Sequence, residues 1–488
     1  MKSEATLRQR RLLERLFDRD PSAWKGDPEH QRIIRNALGW LDLPAQGRGQ
    51  VPALESFASE VAAAGFTDAV LVGMGGSSLA PDVLRRMYPA KRLRLHVLDT
   101  TSPETILGLR RSLDLKKTMV VVSSKSGTTT EAVSLYRYFW QEIGGHGDQF
   151  VAITDPGTWL EHEGKARGFR QVFPGKGDVG GRFSALSNFG LVPGALMGVD
   201  IAALLAGGQA ALDHGDAAAE LGAAMADAAK SGRDKITFVM PPELEPFGDW
   251  LEQLLAESTG KEGKGLIPIV GEPVGKAAVY GSDRFFIRYG TEEPSPGVTL
   301  TWTNLGHQFV HWEIAVAIAG AILGIDAFDQ PNVQESKDNT VAILKAGTVP
   351  AEPSTPDLEA FLGRVKPGDY LAIMAYLPPT AENGRVLARL REHLRDRLKV
   401  ATTFGFGPRF LHSTGQIHKG GPGTCVALQL VCDPREDMPV PEAPYTFGTL
   451  WRAQAAGDLQ ALSRHGRRAA RVDLRRDVLQ GIERLVQA

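Results

Sequence analysis

Cysteine is almost missing: Cys425 and Cys432 are the only two among 488 residues. That excludes a disulfide-framed secreted scaffold. The pair lies seven apart in one apolar run, where the strand period of two turns them to opposite faces, so free buried thiols in a reducing cytoplasm are expected. Neither sign of charge dominates, with 55 basic against 57 acidic residues and a net charge of −2. No global field then favours nucleic acid or an acidic membrane surface, and an anionic ligand would have to be held locally. Long hydrophobic runs are lacking as well. The best helical candidate, Ile314–Ile325, has 12 residues, against the roughly 20 that a bilayer demands. The N-terminal MKSEATLRQRRLLERLF is amphipathic and charged, without a signal-peptide core. No repeat and no low-complexity tract breaks the chain, and the arginines of Arg464–Arg476 read as a solvated face.

What is present is an alternation. Two helices, about Glu4–Asp18 and Glu29–Leu41, form an N-terminal arm over residues 1–50. From there to about residue 230 short β-branched runs at Ala69–Val72, Leu95–Leu98, Met119–Val122 and Phe150–Thr154 take turns with amphipathic helical segments. Such a pattern predicts βαβ crossovers and a parallel sheet covered on both faces. The Ala-rich stretch Ile201–Ala229 reads as one linking helix. Residues 231–488 read as a second α/β unit, with a strand at Ile236–Met240, an extended region through Trp302, a Pro-rich break at Pro350–Pro356, and further alternation from Tyr370 on. The fold class is α/β, with parallel sheets in three-layer α/β/α domains.

Two loops stand out. Thr118–Ala132, TMVVVSSKSGTTTEA, is a buried strand running into hydroxyl-rich residues that open a helix. Unpaired N–H groups and the positive dipole end at a helix start, joined by Ser and Thr hydroxyls, make a phosphate cradle. Ala69–Val83, AVLVGMGGSSLAPDV, is a second strand–loop–helix unit. It is neither a dinucleotide fingerprint nor a P-loop, since its glycines miss the G-x-G-x-x-G spacing and no Lys-Ser/Thr pair follows them. Ligands of parallel sheets sit outside the carboxyl ends of the strands, where both loops fall.

Taken together, GMGGSS at Gly73–Ser78, SSKSGTTTE at Ser123–Glu131, GGRFS at Gly180–Ser184, AESTGKEGKG at Ala256–Gly265, FDQPNVQESK at Phe328–Lys337 and LHSTGQ at Leu411–Gln416 resemble the phosphoglucose isomerase family and its sugar-isomerase (SIS) domains. The entry segment LFDRDPSAWKGDPEHQ is similar to that of the isomerase half of fused transaldolase–phosphoglucose isomerase chains. The resemblance implies two sugar-isomerase-type domains, at 51–230 and 231–488, the second with a rearranged C-terminal segment. It implies reversible interconversion of glucose 6-phosphate and fructose 6-phosphate through a cis-enediol, without cofactor or metal, in a cytoplasmic homodimer.

Residue by residue, the resemblance makes Ser124, Lys125, Ser126, Thr128 and Thr129 the phosphate loop and sets Gly76 and Ser77 against the sugar. Glu257 falls at the general base, with Gln253 a helical turn before it. Arg182 falls at the arginine facing the enediolate, Lys337 and Gln330 at the ring end, and His412 at the ring-opening histidine. The chemistry asks for these types. One buried carboxylate can take and return a proton between two carbons, a guanidinium stabilises the developing oxyanion, and an imidazole shuttles a proton to the ring oxygen. Taken singly, Glu257 would be a helix-end residue, Arg182 a turn residue, Lys337 an exposed lysine and His412 a loop histidine. The motif order departs from the family's usual one, because the lysine motif precedes the histidine motif. His418, six residues on, is the competing histidine, and Glu335 reads as a surface residue. His307 and His311 share a helical face but lack an H-E-x-x-H pattern. A sensor that binds sugar phosphate without turnover, or an isomerase that also accepts mannose 6-phosphate, are the other readings.

Overall fold

The structure is a computed structural model describing residues 4–290, 297–350 and 357–487. The β-branched runs of the first half form β1 (Asp68–Val72), β2 (Arg94–Leu98), β3 (Thr118–Ser123), β4 (Phe150–Thr154) and β5 (Gln171–Pro174). These make one parallel sheet in the order β2-β1-β3-β4-β5. β1 and β3 are buried at every position, which explains why they read as continuous apolar runs without polar alternation. Ala69, Leu71, Met119 and Val121 enter one core, and Val70, Val72, Val120 and Val122 enter another on the opposite face. β5 has no counterpart among the predicted strands. Its QVFP is short, sits at the sheet edge and is partly exposed, so no apolar run marks it.

Residues 231–488 carry two further parallel sheets. β6 (Lys235–Val239), β7 (Ile267–Ile269), β8 (Arg284–Tyr289) and β9 (Gly297–Leu300) pair in the order β7-β6-β8-β9. β10 (Tyr370–Tyr376), β11 (Ala401–Phe406), β12 (Cys425–Val431) and β13 (Arg468–Asp473) pair in the order β11-β10-β12-β13. The extended region predicted up to Trp302 therefore contains three strands. The single helix predicted at Ile201–Ala229 is two, Ile201–Asp213 and Asp216–Lys230, broken at His214 and Gly215. Gly215 lies against Leu13 and Phe17 of the first helix, which packs across the break. Both pieces rest on the buried helix Leu305–Leu323. Cys425 and Cys432 are free and buried. The Pro-rich break lies outside the described residues from position 351. Among the described residues no helix is long and apolar enough to cross a membrane.

Candidate active site

Two adjacent strands of the first sheet, β1 and β3, deliver the Gly/Ser loop and the hydroxyl loop side by side, and the Ser123 hydroxyl ties them by donating to the Ser77 carbonyl at 2.8 Å. Two glycines make this junction possible. Gly75 has φ +55°, and a Cβ there would stand 2.7 Å from the His412 carbonyl oxygen. At Gly76 a Cβ would meet the Gly181 carbonyl at 2.1 Å, so the GGRF turn can approach only a glycine.

That turn sets Arg182, which is 1% exposed. Its guanidinium donates from Nε to Ser258 Oγ at 2.7 Å, from Nη1 to Gln330 Oε1 at 2.8 Å, and from Nη2 to the Ala327 and Asp329 carbonyls at 2.7 and 3.1 Å. Every nitrogen is held, so the charge cannot swing away. Nη1 also stands 3.5 Å from Glu257 Oε2. Glu257 lies in the last turn of the helix Glu245–Thr259, whose Phe247, Trp250, Leu251, Leu254 and Leu255 are buried in the large core while Gln253 and Glu257 project beside Arg182 and the histidine turn. Burial pushes the Glu257 carboxyl above the usual glutamate range, opposed first by Arg182 and then by His412. Gln253 Nε2 lies 3.3 Å from Glu257 Oε2 and donates to the His412 carbonyl at 2.8 Å, bridging the helix to the histidine turn.

His412 closes the turn Arg409–His412 that follows β11. Arg409, at the start of that turn, is fixed by Asp82 at 2.9 Å and Asp99 at 3.0 Å, both from the first-sheet layer. His412 Nε2 lies 2.9 Å from Glu131 Oε1, and Gln454 Nε2 donates to the same oxygen at 2.6 Å, with Thr101 Oγ1 donating to Gln454 Oε1 at 2.6 Å. Burial alone would raise Glu131, but His412, joined by a backbone hydrogen bond and the Lys337 charge, offsets it and the carboxyl ends below its ordinary range. His418 is elsewhere: its Nδ1 meets the Tyr370 hydroxyl at 2.9 Å, and burial drives its pKa down to about 3.

A cavity of about 350 Å³ lies beside this cluster, lined by Ser126, Thr128, Thr129, Glu131, Lys337 and Gln454 among others. Ser124 Oγ and Thr129 Oγ1 are 3.0 Å apart, closing the hydroxyl loop on itself. Lys337 shares this wall with the loop despite the inverted motif order, and its charge favours the ionised forms of both Glu131 and Glu257. Lys125 is turned aside into an ion pair with Asp155, so the loop meets the cavity through hydroxyls and backbone. Glu335 pairs with His465 at 2.7 Å, away from Glu257. His307 and His311 stack 5.7 Å apart on their helix, and burial with His307 beside it lowers His311 to about 4.

Residues 56–262 match the family described as phosphoglucose isomerase. Over that stretch the chain is similar to the phosphoglucose isomerase family. A glucose-6-phosphate isomerase of Rubrobacter xylanophilus is 29% identical over 389 residues, covering 64% of this chain and 90% of the relative. One of Thermus thermophilus is 34% identical over 257 residues, covering 50% of this chain and 59% of the relative. Among solved structures, a glucose-6-phosphate isomerase from Chlamydia trachomatis overlays 69% of this chain and 78% of its own, with TM-score 0.52 and 22% identity. That likeness speaks for the fold. The parallel-sheet α/β architecture with three-layer domains expected from the sequence is the one observed.

Glu131, Gln454 and Thr101 had no assigned role in the sequence. Glu131 does close the SSKSGTTTE motif, but a glutamate at a helix start reads first as a capping residue. Gln454 sits mid-helix in Phe447–Arg464 with nothing in its neighbours to mark it.

Proposed function

We propose that the chain interconverts glucose 6-phosphate and fructose 6-phosphate. The observation carrying this is the buried Glu257 carboxylate held between a fully restrained guanidinium and Gln253, whose amide reaches the His412 turn, with His412 in turn on Glu131 in the wall of a hydroxyl-lined cavity. Ser124, Ser126, Thr128 and Thr129, at the start of the Thr130–Ile143 helix, take the phosphate, and that remote anchorage holds the reacting carbons in register. Gly76 and Ser77 face the sugar. His412, oriented and balanced in charge by Glu131, moves the proton that opens the ring, with Lys337 at the ring end. Glu257 then removes a proton from one of the two carbons and returns it to the other, which its raised affinity for a proton suits. Arg182 faces the enediolate, and its five-donor plane, already fixed by Ser258, Gln330 and two carbonyls, stabilises the oxyanion without reorganising.

We propose a homodimer in the cytoplasm as its setting, on the resemblance to dimeric relatives; sedimentation tests the dimer. The function is tested by following glucose 6-phosphate formed from fructose 6-phosphate in a coupled assay, with a chelator present and mannose 6-phosphate in a parallel arm. Conversion that persists in chelator is expected. Absence of conversion by protein that still binds the sugar phosphate would leave a sensor in place of an enzyme.

A further inference from the structure

The N-terminal arm reaches the site from behind. His30, in the helix Pro28–Arg35, offers a ring nitrogen to the same space as carboxylate oxygens of Asp326 and Asp329, the three donor atoms lying within 4.8 Å of one another. The His30 ring is aimed by its own helix cap. Asp27 accepts from the His30 backbone N–H at 3.0 Å and holds Nδ1 at 2.9 Å, which leaves Nε2 outward, 4.0 Å from Asp329 Oδ2. A carboxylate on the far nitrogen of an imidazole is the usual outer partner of a metal-bound histidine, since it fixes the ring and raises its basicity.

A second feature is independent of this clustering. Asp326 is completely buried, its Oδ1 accepts from the Phe328 N–H at 2.8 Å, and its Oδ2 has no hydrogen-bond partner. A buried carboxylate oxygen left without a donor is costly unless something electropositive faces it. The cations of the neighbourhood are committed elsewhere. Lys261 donates to Asp329 Oδ1 at 2.6 Å and Arg182 to backbone carbonyls, so Asp329 keeps Oδ2 toward His30 at 4.0 Å while Asp326 Oδ2 has no hydrogen-bond partner.

We propose that His30, Asp326 and Asp329 form a binding site for a divalent transition ion of the zinc type. One imidazole and two carboxylates with room for water fit Zn²⁺, whereas Ca²⁺ and Mg²⁺ ask for six or more oxygens, and the neighbouring Lys261 ammonium further disfavours an ion held by charge alone. Donors spread by up to 4.8 Å close to about 3.6 Å, each moving roughly 0.7 Å inward, to stand at a bonding distance of ~2.1 Å from a common centre. Asp326 and Asp329 flank Ala327 and Phe328, and the carbonyls of Ala327 and Asp329 receive Arg182 Nη2. The ion is thus a clamp that locks the segment behind Arg182 to the N-terminal arm. It stands outside the proton-transfer chemistry.

The test is uptake, which does not depend on the proposed reaction. Full-length protein is stripped with chelator, exchanged into metal-free buffer and titrated calorimetrically with Zn²⁺, with Co²⁺ absorption as a second reading. One equivalent is expected, along with a rise in melting temperature and a Co²⁺ spectrum of low-symmetry N/O coordination. His30→Ala removes a side chain that is 34% exposed and should fold normally, which its melting temperature in metal-free buffer checks. In that variant and in Asp326→Asn, zinc affinity should fall at least about 10²-fold, in the range of lost ligands and their partners. His307→Ala controls for the other histidine pair and should bind as wild type. No uptake, uptake unchanged in both His30→Ala and Asp326→Asn, or uptake lost in His307→Ala would overturn the site. A loss of isomerisation on chelation in wild type and His30→Ala alike would instead contradict metal-free chemistry, so the two failures are separable.

Discussion

His412 Nε2 and Glu131 Oε1 lie 2.9 Å apart although 281 positions separate them, joining the turn after β11 to the helix that opens behind the hydroxyl loop. Loss of either partner is therefore expected to strike ring opening. His412→Ala should be slowed about 10²-fold or more on cyclic fructose 6-phosphate, while exchange of a carbon-bound proton on an open-chain sugar phosphate is spared. Glu131→Gln should follow in the same direction more mildly, and His418→Ala should leave ring opening intact while lowering the melting temperature, because it empties a buried contact with Tyr370. Stopped-flow comparison of cyclic and open-chain substrates checks all three. A severe ring-opening defect in His418→Ala with a normal His412→Ala would reverse the assignment.

The hydroxyl loop should act on binding. Ser126→Ala and Thr128→Val each remove a hydroxyl from the cavity wall, where a hydrogen bond to a charged group is worth about 1.5–3 kcal/mol. Each is expected to raise KM for the sugar phosphate about 10-fold or more. Lys125→Ala should do less, since its ammonium is spent on Asp155. A Lys125 effect larger than those of Ser126 and Thr128 would contradict this division.

The pH dependence follows from burial of Glu257. The carboxyl is raised above its ordinary value and works as carboxylate, so kcat/KM should fall as pH drops through a pKa higher than that of a free glutamate. Arg182 is the first opposing influence, so Arg182→Gln should move the acid limb further toward neutrality whatever it does to the maximal rate. An acid limb that stays in place, or moves down, in Arg182→Gln would contradict that pairing.

Glu313 offers a stability counterpart away from the chemistry. It lies mid-helix at 3% exposure, and burial alone raises its carboxyl well above the usual range. A folded pKa above the unfolded one favours the fold below the unfolded value and loses that advantage as pH rises toward the folded one. Glu313→Gln should therefore stabilise the protein from about pH 4.5 upward, by on the order of 1 kcal/mol per pH unit until the folded pKa is passed, and have little effect below. Denaturation at pH 4 and pH 7 checks it, and a gain that is larger at pH 4 would refute it.

Fold and site were legible to different degrees for physical reasons. The fully buried strands β1, β3 and β4 announce themselves as β-branched runs ending at glycines and hydroxyls, and the helix Leu79–Met87 falls where its periodicity places it. β5 and the break at Gly215 were hidden, one because an exposed edge strand needs no apolar run, the other because a helix as Ala-rich as Ile201–Ala229 carries its interruption in a tertiary contact. At the site, Glu257, Arg182 and the hydroxyl loop could be named because their motifs are local. The partnership of His412 with Glu131, and of Glu131 with Gln454, joins segments hundreds of positions apart. No spacing in a single sequence encodes such a contact. The opposed fates of His412 and His418, one on Glu131 and one on Tyr370, likewise appear only after folding.

Passage of a proton between two carbons of a sugar phosphate by way of Glu257 is read directly by conversion of fructose 6-phosphate in heavy water. Wild type should yield glucose 6-phosphate bearing solvent deuterium at carbon 2, because a carboxylate that takes up a proton can exchange it before returning it. Glu257→Gln should bind the sugar phosphate through the hydroxyl loop yet lose turnover by at least about 10²-fold, with no deuterium entering at carbon 2. Near wild-type turnover with full deuterium incorporation in Glu257→Gln would place the base elsewhere and contradict the account.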